Sequence, residues 1–362
     1  MIVGVRTLHG YAMTLRRRTG KCALAAVIVL GVIASASTSN AVVRTAISTG
    51  CGQVSGVSIV RSFASANDYL SDVQFSPNGE LIALAGDDST VIDDVATGKQ
   101  LESFPANGSA YSASFTRDGT RLLVANWKGT AAIYSVSTGR RLVQVSAGNW
   151  INSGAWSPDD ATFATGSRSG SAQIWNAESG ALVESLRPGL EVFGVAFSPN
   201  GSLLATTTDD GAQVWDIATR REIATAKASG TGFTTSFSPD GEDIVFDGEK
   251  FYRNSLVWSS TEIVWNLATK RVINTFVGPK GEVFGTPALS PDGDVLAIPN
   301  DDSGRVTFWC VATGQTLGSF VTDGGKGVAS VVFGANGTEL LSADQSGVAR
   351  LWRLHEESSP NG

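Results

Sequence analysis

Residues 195–217 read VAFSPNGSLLATTTDDGAQVWDI, and the order of residue types within them decides the fold. An apolar run ends at Phe197 and meets Ser-Pro-Asn-Gly. The proline fixes φ and the glycine supplies the left-handed position that a tight reversal needs. A second run, 202–208, ends in Asp209-Asp210-Gly211, and a third closes on Trp215-Asp216. The same order then recurs along the chain. Its opening position is held by Phe75, Phe115, Trp156, Phe197, Phe237, Leu289 and Phe333, at spacings of 40, 41, 41, 40, 52 and 44 residues. Self-similarity at this period is the signature of a repeat built from four short strands.

The third run of each unit ends on Tyr134, Trp175, Trp215, Trp265, Trp309 or Trp352, and only the first unit, VIDDVATG at 91–98, has no aromatic there. ATG, STG, ESG or ATR follows, then a fourth run such as QLESF (100–104) or TLGSF (316–320). Alternation is imperfect, as expected for strands covered on both faces. One four-stranded sheet cannot bury its own faces, whereas seven stacked in a ring can. The pattern resembles the WD-repeat β-propeller family over residues 57–354. It implies an all-β fold, a seven-bladed propeller of four-stranded antiparallel blades. The FSPDG turn, the aromatic closing the third strand and the TG after it carry the resemblance. The departures are also specific: only Trp215-Asp216 is a Trp-Asp pair, and no Gly-His pair exists, so the His-Asp network common in the family cannot form.

The seventh unit stops at VARLWRL (348–354), one strand short of four, and an orphan run, VSIVRSF (57–63), precedes the first unit. Strand arithmetic and the family's usual closure together predict that 57–63 pairs antiparallel with 348–354 and removes the open edge. Cys51 and Cys310 would then lie on one rim in neighbouring blades. A disulfide between them requires Cα atoms within ~7 Å.

The N-terminus reads differently from the repeats. Arg6, Arg16, Arg17, Arg18 and Lys21 precede an apolar run, CALAAVIVLGVIASA (22–36), with small residues after it. This is the pattern of a secretory signal over residues 1–41, with an uncleaved anchor over 22–43 as the competing reading. Residues 42–56 read as a linker and 355–362 as a tail. Removal of 1–41 takes five of the 27 basic residues and none of the 34 acidic ones, leaving 22 against 34, a formal charge of -12. Such a surface repels phosphate backbones and argues against a nucleic-acid partner. With Cys22 in the leader, Cys51 and Cys310 permit one disulfide in an exported domain.

Catalytic groups are scarce. The two histidines, His9 and His355, both fall outside the repeats, which excludes a Ser-His-Asp triad and a His-ligated metal within them. The Asp-Gly runs do not match the twelve-residue calcium loop, and no cofactor or metal site is expected. A carboxylate-based enzyme acting on carbohydrates or lactones at the channel remains as an alternative, since two acids across a cleft suffice. Against it, the first-strand segments contain only Asp72 as an acid.

Two features point to partner binding instead. An aromatic precedes the turn motif by four to six residues in six units: Tyr69, Tyr111, Trp150, Phe193, Phe233 and Phe284. In a ring these cluster at one channel mouth, either as wedges between blades or as a contact surface. The 52-residue spacing places an insertion near GEKFYRNSLVWSS (248–260), where Tyr252, Arg253 and Trp258 combine the residue types enriched at interface cores. It reads either as a contact loop or as a decoration folded on its own blade. The resulting expectation is an exported, monomeric, non-catalytic scaffold for a protein or cell-envelope partner, touching a membrane only if the leader is retained.

Overall fold

The computed structural model describes residues 51–65, 69–105, 108–148, 150–189, 191–228, 234–252, 257–322 and 326–356. The proposed leader and most of the linker therefore lie outside the described residues, as do 357–362.

Among the described residues the first strand, β1 (Val54–Ala64), belongs to the last blade. Blade one comprises β2 (Leu70–Phe75), β3 (Leu81–Gly86), β4 (Ser89–Asp94) and β5 (Gln100–Pro105). Blade two follows as β6 (Ala110–Phe115), β7 (Arg121–Asn126), β8 (Thr130–Ser135) and β9 (Arg141–Ser146). In blade three come β10 (Ile151–Trp156), β11 (Thr162–Ser167), β12 (Ser171–Asn176) and β13 (Leu182–Leu186). Blade four contains β14 (Gly194–Phe197), β15 (Leu203–Thr208), β16 (Gly211–Asp216) and β17 (Arg221–Lys227). Blade five is β18 (Thr235–Phe237), β19 (Asp243–Tyr252), β20 (Val257–Asn266) and β21 (Arg271–Val277). Blade six is β22 (Ala288–Leu289), β23 (Val295–Pro299), β24 (Arg305–Cys310) and β25 (Thr316–Val321). The seventh adds β26 (Val328–Phe333), β27 (Glu339–Asp344) and β28 (Val348–Glu356) to β1. The seven antiparallel sheets form a seven-bladed β-propeller.

Closure follows the strand arithmetic. β1 pairs antiparallel with β28, with Val57 opposite Leu354 and Phe63 opposite Ala349. Both strands run further than their apolar patterns suggest, because β1 begins at Val54 and β28 continues to Glu356, opposite it. His355 consequently sits in a strand, its ring Nε2 2.9 Å from Ser58 Oγ, rather than in a tail. Cys51 and Cys310 form a disulfide with their Cα atoms 5.7 Å apart, tying the start of β1 to blade six.

Each repeat motif acts between blades as well as within one. In the turn, Ser76 Oγ donates to Asn78 Oδ1 at 2.7 Å and accepts from the Leu81 amide at 2.9 Å. Ser157, Ser198, Ser238 and Ser290 repeat the pattern, and Thr116 does so with Asp118. The Thr116 hydroxyl, then the Thr120 amide and hydroxyl, hold the Asp118 carboxyl down at about 2. The turn proline packs on the glycine of the next blade's turn: a Cβ on Gly241 would lie 3.2 Å from Pro199, and one on Gly293 3.2 Å from Pro239. Between blades two and three both partners change together. Arg117 replaces the proline and its amide donates to Asp160 Oδ1 at 2.9 Å, while Asp160 takes the glycine's place at φ 58°.

The core is seven inter-blade clusters rather than one centre. In the six blades that have one, the third-strand aromatic packs against the preceding blade: Trp175 joins Ile133 and Val145, and Trp352 joins Phe308 and Leu317. Three indoles donate to a second-strand hydroxyl, Trp175 to Thr165, Trp215 to Thr206 and Trp352 to Ser342, at 2.8–3.2 Å. Blade one holds Asp93 at this position, opposite Ile82 as Trp175 is opposite Phe163. Asp93 is 4% exposed and its Oδ1 has no hydrogen-bond partner.

Candidate interaction surface

In antiparallel blades, the approach to strand one and the turn between strands two and three lie at the same end. The early aromatics and the 2–3 turns therefore share one face of the ring. Trp127, in the 2–3 turn of blade two, meets Trp150, at the entrance to blade three, edge to face with centroids 5.5 Å apart. The Arg168 guanidinium, in the 2–3 turn of blade three, stands 4.5 Å above the Trp150 ring and pairs with Glu191 at 3.1 Å. Adjacent turns thus build a continuous aromatic and cationic step. Tyr111 and Trp150 remain 40% and 37% exposed, which is a large apolar area left toward solvent.

The remaining early aromatics divide. Tyr69 is half-buried, and burial, then the Asp301, Asp87 and Tyr111 charges, push its hydroxyl up to about 12. Blades six, one and two thus bring acids and phenols close around it. Phe284 is half-buried between blades five and six, its ring against Gly278, where a Cβ would come within 2.8 Å. Phe193 is buried and presents no surface. Phe233 and Arg253 lie outside the described residues. Tyr252 and Trp258 belong to the inserted segment, which lengthens β19 and β20 into a hairpin with Tyr252 opposite Val257 and Phe251 opposite Trp258. A paired extension of a blade, rather than an irregular loop, is where the extra residues go.

The channel acid is engaged as a strut. Asp72 accepts from the Ala113 amide at 3.1 Å and from Ser330 Oγ at 3.3 Å, so it links blade one to blades two and seven. Ser112 reaches the Gly154 carbonyl at 3.3 Å, and the Val195 amide reaches Ser153 Oγ at 3.3 Å, continuing the same girdle. Burial raises the Asp72 carboxyl to about 7 against the pull of these hydrogen bonds. No second acid lies on the inner strands, so the two-carboxylate arrangement of a glycosidase is not formed there. The opposite channel mouth opens into a cavity of about 600 Å³ whose rim includes Pro158, Pro199, Pro239 and Pro291.

Two features escape a reading of the sequence. Trp127 sits in a polar turn with no motif to mark it, and only its contact with Trp150 reveals its part in the surface. The other is a pair of interior acids, Asp247 and Glu262, which sit fifteen positions apart and meet only through strand register.

Comparison with known proteins agrees with this geometry. The family model "WD domain, G-beta repeat" matches residues 57–92, 140–176 and 183–216. The chain carries WD40 repeats. Each match starts within the outer strand of one blade or one residue before it, and ends in the third strand of the next, the same offset that β1 uses to close the ring. Among curated proteins, the Periodic tryptophan protein 2 homolog of Neurospora crassa is 33% identical over 84 residues, covering 23% of this chain and 9% of that protein. The Schizosaccharomyces pombe homolog is 30% identical over 88 residues, covering 24% and 10%. The similarity thus spans about a tenth of those relatives' length.

Proposed function

We propose that this WD-repeat propeller is a non-catalytic interaction scaffold, exported and monomeric, that captures a protein or cell-envelope partner on the face carrying Tyr111, Trp127, Trp150 and Arg168. The observation that carries the reading is the exposed Trp150, held in place by Trp127 on one side and Arg168 on the other. Aromatic and arginine side chains on a rigid frame lose little freedom on binding, which is why they dominate interface energetics. The use of Asp72 as an inter-blade strut supports a scaffold over a hydrolase. Export is supported by the basic and apolar pattern of residues 6–36 and by the Cys51–Cys310 disulfide, a bond favoured in oxidising compartments.

The test is quantitative capture from an envelope fraction with the wild-type domain and a Tyr111→Ala/Trp150→Ala variant as baits. Proteins enriched by the wild type should be lost from the variant while its circular dichroism and melting are unchanged. Equal capture by both baits would remove this face from the function.

A further inference from the structure

The channel mouth opposite Trp150 is built from the turns that join the first two strands of each blade, and they surround the cavity of about 600 Å³. That volume belongs to the range of ligand-binding clefts. Its wall is apolar. Phe115, Trp156, Phe197, Phe237 and Leu289 line it and are only half-buried, so each keeps apolar surface toward the opening. Four turn serines, Ser157, Ser198, Ser238 and Ser290, also line it, but their hydroxyls donate to the aspartate or asparagine of their own turns.

The charge around this mouth is one-sided. The turns of blades three, five and six carry two acids each: Asp159 and Asp160, Asp240 and Glu242, Asp292 and Asp294. Glu80 and Asp118 stand in those of blades one and two, and Arg117 is the one base in the seven turns. Hydrogen bonds within the turns keep carboxyls ionised. The Ser157 hydroxyl, then the Ala161 amide, hold Asp159 below its ordinary range, as the Asp118 carboxyl is held. At blades two and three the acids are offset by Arg117 and by Arg121, whose guanidinium stands 4.9 Å from the Trp156 ring centroid. The turns of blades five and six hold acids and no base, beside Phe237 and Leu289.

An apolar wall disfavours a hydrated ion, and carboxylates at the rim repel an anion. An apolar group with a cation beside it suits both. The acids belong to turns of different blades, so a ligand must extend across the mouth to meet more than one pair. We infer that this mouth is a second binding site, taking an extended polypeptide segment that places a large apolar side chain in the cavity and lysine or arginine on the turns of blades five and six. Complementary charge of this kind selects the partner and its orientation. The site is independent of capture on the Trp150 face.

The experiment uses the full chain and three labelled peptides, Lys-Lys-Phe-Leu-Lys-Lys, Glu-Glu-Phe-Leu-Glu-Glu and Lys-Lys-Ser-Gly-Lys-Lys, read by fluorescence anisotropy. Only the first should bind saturably. Raising salt from ~0.1 M to ~1 M shortens the Debye length from ~10 to ~3 Å and should weaken that binding about tenfold. Asp240→Asn/Asp292→Asn removes two charges at a turn position where blades one and four already hold Asn78 and Asn200. It should weaken binding by about tenfold as well, with melting unchanged. Ala196→Trp, on the cavity wall, fills the space and should abolish binding. No saturable binding of the first peptide, equal binding of the glutamate peptide, or undiminished binding by both variants would overturn the assignment. Self-association of the chain that Ala196→Trp abolishes would give the mouth to a second copy and would equally overturn it.

Discussion

Replacing both Cys51 and Cys310 with serine cuts the covalent tie between the ring-closing strand and blade six. The two residues are 259 positions apart, so the bond closes almost the whole repeat region into one loop. The chain-entropy relation gives ~19 cal/mol/K for a loop of that length, or about 5–6 kcal/mol at 25 °C as an upper value. Residual structure in the unfolded chain lowers what is realised, and a loss of about 3–5 kcal/mol is expected. For a domain of this size that corresponds to a fall in melting temperature of roughly 5–10 °C. Scanning calorimetry of four samples isolates the effect: wild type and variant, each with and without a dithiol reductant. The reduced wild type should match the variant, and the variant should not respond to reductant. A variant that melts within a degree of the oxidised wild type would show that the bond does not restrain the unfolded chain, and the argument from loop length would fail.

Two acids, the half-buried Asp72 and the buried Asp93, make further predictions with a common sign. Asp72 is raised from 3.8 to about 7, so between those values the folded state holds a proton that the unfolded state has released, and stability falls as pH rises from about 4 to 7. The difference corresponds to at most ~4 kcal/mol, and Asp72→Asn should flatten the urea midpoint over that range; an unaltered slope would contradict it. Asp93, raised by burial to about 6, stands where six blades have an aromatic, so Asp93→Leu should raise stability at pH 7 by about 1–3 kcal/mol in urea titrations. A loss of stability would mean that the carboxyl has a partner after all.

Most of the fold was legible because its determinants are local. The Ser-Pro-Asx-Gly turns, the closing aromatics and the period are written in contiguous residues, and counting them placed every blade and paired β1 with β28. The reach of β1 back to Val54 and of β28 to Glu356 was not legible, since Ser55, Gly56, His355 and Glu356 carry no strand pattern and are recruited by pairing with each other. The surface was legible in part. Tyr111 and Trp150 stood out by position, but Phe193, four residues before its turn motif just as Tyr111 is, lies buried, so the offset in sequence does not fix which side chains reach the surface. Trp127, Asp93 and the Asp247–Glu262 pair depend on which residues stand opposite across strands. That information exists only once the sheet is assembled.

Native-state hydrogen exchange across Val54–Ala64 addresses ring closure most directly. If β1 completes the seventh blade, its paired amides exchange only with global unfolding, as slowly as those of β27 and β28 and with the same dependence on denaturant. Amides of β1 that exchange at open-chain rates while β27 and β28 stay protected would mean that the ring is not closed by its first strand.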